Sequence, residues 1–134
     1  MKKLTQSEAT DILATLGMGW EKRAWWWDPK EEKCAFSVNA FRPLTDANHA
    51  LMVLEAWRNG DECYRSYTVN SLYDPDKAGT ARRSGFSVNL YGLPTNKKCV
   101  ISLANISNPN LNHAICTAVC SALLGEQVTI EEGE

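Results

Sequence analysis

The stretch TDANHALMVLEAWRNG, residues 45–60, decides the class of fold, because its pattern predicts an amphipathic helix that needs a surface to pack on. Thr45 is predicted as the N-cap, and Asp46 lies in the first turn, where the positive end of the helix dipole favours a carboxylate. Gly60 ends the helix. Apolar residues at helical spacing predict a side that covers a sheet, and this side comprises Ala47, Ala50, Leu51, Leu54 and Trp57.

Two more helices are predicted, one before this stretch and one after it. The first covers residues 5–16, because Thr5 and Glu8 have the spacing of a capping box and Gly17 provides a stop. The last begins with Asn108 as the cap and Pro109 at the first helical position, and it ends at Gly125. The predicted apolar sides are Ala9, Ile12, Leu13 and Leu16 in the first helix, and Leu111, Ile115, Ala118, Val119, Ala122 and Leu123 in the last.

Strand patterns lie between the helices. The aromatic run 25–27 and the alternating Cys34, Phe36 and Val38 predict a hairpin whose turn lies near residues 28–33. Further strands are predicted over 63–70, 86–91 and 100–104, with a polar loop at 73–80. The expected fold is α+β, an antiparallel sheet of four or five strands flanked by three helices as an α-β-α sandwich. Residues 1–134 are expected to form one domain, with an acidic tail from about 128 to 134.

A short internal similarity accompanies these patterns. Residues 33–38, KCAFSV, resemble residues 98–103, KCVISL, and each is followed by a proline and then by Asn-His-Ala, at 48–50 and 112–114. The similarity has two interpretations: a chance match, or two related strand-then-helix units whose helices pack on a common sheet. Two copies are too few for a solenoid.

Charge and composition exclude several classes of protein. Fourteen Lys and Arg against sixteen Asp and Glu give a net charge of −2, unlike the strongly basic balance of a bulk nucleic-acid binder. The sequence has no run of about 18 apolar residues and no signal-peptide pattern, which favours a cytosolic protein with no membrane partner. Its five cysteines have no CxxC spacing and are interpreted as reduced, buried, structural thiols.

The sequence also lacks the spacing of the common catalytic motifs. It contains no phosphate-binding glycine loop, no nucleophile elbow and no HExxH motif. His49 and His113, each in an early turn of a predicted helix, could act as acid and base. The favoured alternative is that each hydrogen-bonds locally at a boundary between helix and sheet. We therefore predict no catalytic residue, no metal and no cofactor.

Aromatic and basic residues form the candidate ligand-binding set. In a strand, Trp25 and Trp27 point to one face and Trp26 to the other, so one face is available for a helix, a subunit interface or a ligand. Arginine binds phosphate while aromatic rings stack on a base. The competing interpretations are core packing for the tryptophans and solvated loops for the arginines. The predicted ligand-binding residues are Arg23, Trp25, Trp26, Trp27, Arg42, Tyr73, Arg82, Arg83 and Tyr91.

Short motifs spread over nearly the whole chain carry a family resemblance. They are Met18-Gly19-Trp20, the Pro-Leu-Thr-Asp entry at 43–46 to the helix with Trp57, the strand at 86–91, and Ala114-Ile115-Cys116. With these motifs the chain resembles the phage ABA-sandwich family, small phage and prophage proteins with helices on both faces of an antiparallel sheet. The resemblance implies a fold and a phage origin. It implies no enzymatic activity, because the family has no shared catalytic motif.

These observations together predict a non-enzymatic phage anti-defence protein. It would sequester a small nucleotide immune signal, of the cyclic dinucleotide or cyclic ADP-ribose type, in the host bacterial cytoplasm. A homo-oligomer is expected, because a small sandwich alone encloses little volume. One alternative is an accessory protein that inhibits a host protein, such as a defence protein, through its tryptophan face. Another is a hydrolase of the same signals that uses His49 and His113.

Overall fold

The computed structural model describes residues 2–60, 64–73, 76, 83–93 and 98–132, with the backbone alone at 73, 83 and 84. Its helices are α1 Gln6–Ile12, α2 Ala47–Asn59 and α3 Leu111–Leu124. Its strands are β1 Lys2–Leu4, β2 Glu21–Lys22, β3 Trp25–Asp28, β4 Lys33–Ser37, β5 Arg65–Tyr73, β6 Arg83–Gly92, β7 Ile101–Asn108 and β8 Val128–Ile130. The strands form two antiparallel sheets, β2-β3-β4 and β5-β6-β7, and a parallel pair, β1-β8.

Side chains cap the first two helices at their N-termini. The predicted capping box of α1 is confirmed, because Glu8 N–H donates to Thr5 Oγ1 and Thr5 N–H donates to Glu8 Oε1, both at 3.1 Å. In α2 the cap is Asp46 rather than the predicted Thr45. The Asp46 carboxylate accepts hydrogen bonds from the amides of residues 48 and 49, so the helix begins one residue later than expected.

The third helix also begins later than predicted. β7 continues as a strand to Asn108, so neither Asn108 nor Pro109 starts α3. The cap is instead Asn110, whose Oδ1 accepts from the His113 N–H at 3.1 Å. The predicted stop at Gly125 is confirmed, since Gly125 adopts a left-handed conformation with φ of 68°.

In α1 and α2 the buried residues differ from the predicted apolar sides. α1 runs into a π-helical turn, Leu13–Gly17, whose extra residue rotates the following side chains. Leu13 is therefore buried as predicted, whereas Leu16 is 57% exposed. In α2 the predicted Ala47 and Leu51 are exposed. The buried side of α2 comprises Ala50, Val53, Leu54 and Trp57.

The sheet β5-β6-β7 has one apolar face and one polar face. The alternation of Phe86, Val88 and Leu90 predicts that these residues form the inward face of β6. Val88 and Leu90 lie in the same buried core as α2 and α3, as this prediction requires. Tyr67, opposite Leu90, donates a hydrogen bond to Glu55 of α2. This hydrogen bond, then burial and the charge of Glu55, raise the pKa of Tyr67. The other face presents short uncharged side chains around one tyrosine: Ser66, Thr68, Asn70, Ser87, Asn89, Tyr91, Ser102, Asn105 and Ser107.

The most deeply buried helix is α3. Its residues 114–121 are buried on every side, because α3 packs against β6, β7, β8, α1 and α2. β1 and β8 pair in parallel, with Lys2 beside Val128 and Leu4 beside Ile130. The segment predicted as an acidic tail from about residue 128 therefore begins with a strand.

The predicted α+β class, with antiparallel strands and three helices, is confirmed for the described residues. Their antiparallel strands are divided between two three-stranded sheets rather than gathered in one sheet of four or five. The two similar segments, in β4 and β7, accordingly lie in different sheets, although α2 and α3 both pack on β5-β6-β7. No described helix is long and apolar enough to cross a membrane.

Candidate functional site

The sheet β2-β3-β4 separates the three tryptophans by strand alternation. The turn between β3 and β4 begins at Asp28, whose Oδ1 accepts from the amides of residues 30 and 31 at 3.0 and 3.2 Å. Trp26 is 1% exposed, Trp25 is 43% exposed, and Trp27 is half-buried after a β-bulge. The predicted alternation is confirmed, and Trp26 is the tryptophan of this run that enters the core.

An aromatic cluster lies behind Trp26. Phe36, the residue opposite Trp26 on β4, has its ring centroid 5.7 Å from that of Trp20 and 4.9 Å from that of His49. Phe41 joins the same cluster at 5.0 Å from Trp20 in an edge-to-face arrangement. Rings in these geometries are mutually attractive, so the cluster gives the region around Trp26 a rigid support.

A cavity of about 380 Å³ opens between α1, the β2-β3 hairpin and the segment 38–45, and is called here the Trp26 cavity. Its apolar wall is formed by Trp26, Val38, Phe41 and Leu44. Its uncharged polar lining comprises Gln6, Ser7, Thr10, Asn39 and Thr45. An apolar wall with a few placed polar groups is the usual composition of a small-molecule site.

Two cations and one carboxylate also line the Trp26 cavity. Lys22 Nζ lies 5.6 Å from the centroid of the Trp26 ring and 3.2 Å from Asp11 Oδ2. Arg42 is held by its Nε, which donates to Asn39 O at 2.8 Å. Exposed ion pairs contribute at most about 1 kcal/mol, so an incoming anion could readily draw Lys22 away from Asp11.

The indole N–H of Trp26 is buried and has no hydrogen-bond partner among the described residues. A buried donor left unpaired costs about 1–3 kcal/mol. Since Trp26 is 1% exposed, this N–H lies behind the wall of the cavity, and Trp26 contributes to that wall as an apolar residue.

The structure brings together two of the predicted ligand-binding residues, Trp26 and Arg42. Arg23 and Trp27 form a separate pair, with the guanidinium carbon 4.7 Å from the ring centroid and Arg23 also bound to Glu21 at 2.9 Å. Neither Arg23 nor Trp27 lines the Trp26 cavity. Lys22 was not among the predicted residues, and it lies in the cavity because it is the cross-strand neighbour of Trp26 on β2.

Trp25 and Tyr91 are the other predicted residues whose side chains are described, and neither lines this cavity. Tyr91 belongs to β6, on the polar face opposite Ser102 of β7. Tyr73 and Arg83 are paired at the ends of β5 and β6 by their backbones, and their side chains lie outside the description. Arg82 lies outside the described residues. The predicted set thus divides between two sheets.

The two histidines occupy equivalent positions in α2 and α3, three residues after the cap. His49 Nδ1 accepts from the Arg42 N–H at 3.0 Å. His113 Nδ1 lies 3.2 Å from Asn108 Nδ2, while His113 Nε2 is buried with no partner in the part of the chain that the structure describes. The predicted local hydrogen bonding of both residues is confirmed.

The cysteines fall into two groups. Cys116 and Cys120 are buried in α3, and burial raises the pKa of Cys120 to about 12. Burial, and then the charge of Cys120, raise the pKa of Cys116. Cys34 and Cys99 are exposed, so the expectation of buried cysteines is wrong for them, and Cys63 lies outside the described residues. Within the described ranges, no group of three or more His, Cys, Asp or Glu could hold a metal ion.

Comparisons with known proteins provide no family for this chain. No family model, no curated protein and no solved structure matches it. The resemblance to the phage ABA-sandwich family therefore rests on the sequence motifs alone. The function has to be argued from the geometry of the Trp26 cavity.

Proposed function

We propose that this chain is a non-enzymatic binding protein that sequesters a small nucleotide signal in the Trp26 cavity. The observation that carries the proposal is that Trp26, Phe41, Lys22 and Arg42 line one volume. The apolar wall can accommodate a base, and the two cations can bind phosphate oxygens, with arginine doing so through two parallel hydrogen bonds. The ligand class that uses both features is a ring attached to a phosphate.

The size of the cavity limits what enters it. Its volume of about 380 Å³ lies near the lower end of the range of about 300–1,000 Å³ for ligand sites. One base with its phosphate fits, and the remainder of a cyclic dinucleotide or cyclic ADP-ribose derivative would extend outside. Sequestration needs about nanomolar affinity, near −12 kcal/mol. We propose that a second copy of the chain covers the exposed part, as a homo-oligomer.

The biological setting is proposed from the sequence motifs. The resemblance to the ABA-sandwich family supports a phage origin and action against a defence signal in the host cytoplasm. Binding without turnover is supported by the position of His49, whose Nδ1 is engaged by the Arg42 backbone. A histidine held in this way is a structural acceptor rather than a free base.

A thermal-shift screen against cyclic dinucleotides and cyclic ADP-ribose isomers tests the proposal. A ligand at 100 times its Kd adds about 2.7 kcal/mol of stability. Arg42→Gln and Lys22→Gln should each weaken binding about tenfold or more, since each removes a charge-assisted contact. Arg23→Gln is the matched control, because Arg23 carries the same charge but does not line the cavity.

The bound ligand should be recovered intact by chromatography after heat denaturation. Recovery of an altered ligand would show that the protein is an enzyme and does not sequester the ligand. If Arg23→Gln and Arg42→Gln abolished the thermal shift equally, the Trp26 cavity would not be the binding site. Light scattering that gives only the 14.9 kDa species with ligand bound would exclude the homo-oligomer.

A second candidate function has its own observation. Trp25 is 43% exposed beside the stacked pair of Arg23 and Trp27. Tryptophan and arginine are enriched in the hot spots of protein–protein interfaces. We propose inhibition of a host protein through this surface as the alternative. It predicts no shift with any nucleotide, together with a host partner whose binding is lost in Trp25→Ser and kept in Arg42→Gln.

A further inference from the structure

Two edge strands, β7 and β8, pack against the same helix, α3. β7 is the last strand of β5-β6-β7, and β8 pairs with β1, so within the described residues each has one edge without a strand neighbour. α3 packs against β6, β7 and β8. An open edge presents unpaired backbone N–H and C=O groups. On β8 one of these groups is already satisfied, because the Val128 N–H donates to Ser121 Oγ of α3.

A groove runs between these two edges. One cavity of about 480 Å³ is lined by β7 together with the end of α3 and residues 125–127, and another of about 440 Å³ is lined by β7 and β8. The two cavities share Asn105, Ile106 and Gln127, so they adjoin each other along β7. We call them together the β7–β8 groove.

The floor of the β7–β8 groove is polar although α3 is otherwise apolar there. His113, Thr117 and Ser121, at a spacing of four residues, line it in turn. Thr117 and Ser121 are 6% and 7% exposed. Ser121 Oγ accepts from the Val128 N–H at 3.3 Å, and His113 Nε2 has no partner among the described residues. A polar floor suits a polar occupant, such as a peptide backbone.

The charged residues that line the groove favour a basic peptide. Glu126 lines one cavity and Glu132 the other, whereas no Lys or Arg is among the described lining residues. The described lining of each cavity thus carries one carboxylate and no cation. The groove complements an extended chain segment that carries two basic side chains, one for each carboxylate.

We propose that the β7–β8 groove binds one extended, basic peptide segment of a partner protein as an added strand. The eight residues of β7 span about 27 Å at about 3.4 Å per residue. Backbone hydrogen bonds to the β7 edge would hold the segment, as in other cases of strand addition, and its two basic side chains would lie near Glu126 and Glu132. The inserted strand would join β5-β6-β7 to β8-β1. This proposal is independent of the Trp26 cavity.

The probe is a fluorescein-labelled octapeptide, Lys-Val-Thr-Val-Thr-Val-Thr-Lys, titrated into the full chain and followed by anisotropy. One control peptide has glutamate for both lysines, and another has proline for the central valine, which removes a backbone donor. Binding of the basic peptide, at least tenfold tighter than either control, is expected. Hydrogen exchange should then slow at amides of β7 and β8 and stay unchanged in β2-β3-β4.

Protein variants test the charge assignment. Glu126→Gln with Glu132→Gln should weaken peptide binding about five- to tenfold and reduce its salt dependence. Glu132→Gln alone should weaken binding by part of this factor, whereas Glu131→Gln, which removes the same single charge from the adjacent residue outside the groove lining, should leave binding unchanged. No binding at millimolar peptide, or binding without protection of β7, would overturn the proposal. If the chain self-associates and β7 is protected without any peptide, a second copy of the chain occupies the groove, and the proposal is also overturned.

Discussion

The close approach of backbone atoms to Gly85 in the sheet β5-β6-β7 gives a quantitative prediction. Gly85 of β6 has φ of +143°, and a Cβ built on it would lie 2.9 Å from Asn108 O and 3.1 Å from Pro109 Cα. Backbone conformations of this kind cost about 1–3 kcal/mol for residues other than glycine. The clash is with backbone atoms, which cannot rotate away, and overpacking adds about 1–3 kcal/mol. Gly85→Ala should therefore lose about 2–6 kcal/mol of stability.

Gly125 is the matched control, because it also has a positive φ, of +68°, but no heavy atom lies within 4 Å of its built Cβ. Gly125→Ala should lose only the conformational part, about 1–2 kcal/mol. Asparagine tolerates the left-handed conformation, so Gly125→Asn should recover most of this loss. Gly85→Asn should recover none, because the clash remains.

Urea unfolding followed by tryptophan fluorescence and by circular dichroism measures these differences. Midpoints should fall in the order wild type, Gly125→Ala, Gly85→Ala, with the slope against urea unchanged. Each kcal/mol corresponds to roughly 3–5 °C in Tm for a chain of this size. If Gly85→Ala were no less stable than Gly125→Ala, or if asparagine rescued both positions, the reasoning from the Asn108–Pro109 contact would be refuted.

Two further predictions concern the thiols and a helix cap. At pH 8 a pKa of about 12 for Cys120 leaves about one thiolate in ten thousand. Maleimide should therefore modify Cys34 and Cys99 in the native protein and reach Cys116 and Cys120 only on unfolding. Peptide mass mapping identifies the modified residues. Labelling of all four at one rate would contradict the burial of α3. Asp46→Ala should lower the free energy of unfolding by about 0.5–2 kcal/mol in urea, whereas Thr45→Ala should change it by less than about 0.5 kcal/mol.

Local features of the fold could be predicted because the signals lie within a few residues of each other. The capping box of Thr5 and Glu8, the stop at Gly125 and the inward Val88 and Leu90 depend on neighbours in the sequence. Errors arose where a longer-range contact prevailed. β7 stays extended to Asn108 because it pairs with β6, and this pairing moves the start of α3.

The candidate site could be predicted in part for the same reason. Strand alternation separates Trp26 from Trp25, but it does not say which of them is buried, since that depends on the cluster beyond Phe36. Arg42 reaches the Trp26 cavity through the fold of residues 38–45 rather than through any pattern. Lys22 was missed because β2 has two residues, too few for an alternation to be recognised.

The parallel pairing of β1 with β8 has a consequence for the order of events during synthesis. Lys2 leaves the ribosome 126 residues ahead of Val128, its partner. At about 5–20 residues per second, β1 waits roughly 6–25 s for the strand that completes its hydrogen bonds. During that time Leu4 lacks both Ile130 and its place in the core. The backbone of Lys2–Leu4 therefore stays open to proteases and chaperones for this interval, and the synthesis of β8 is the step that closes it.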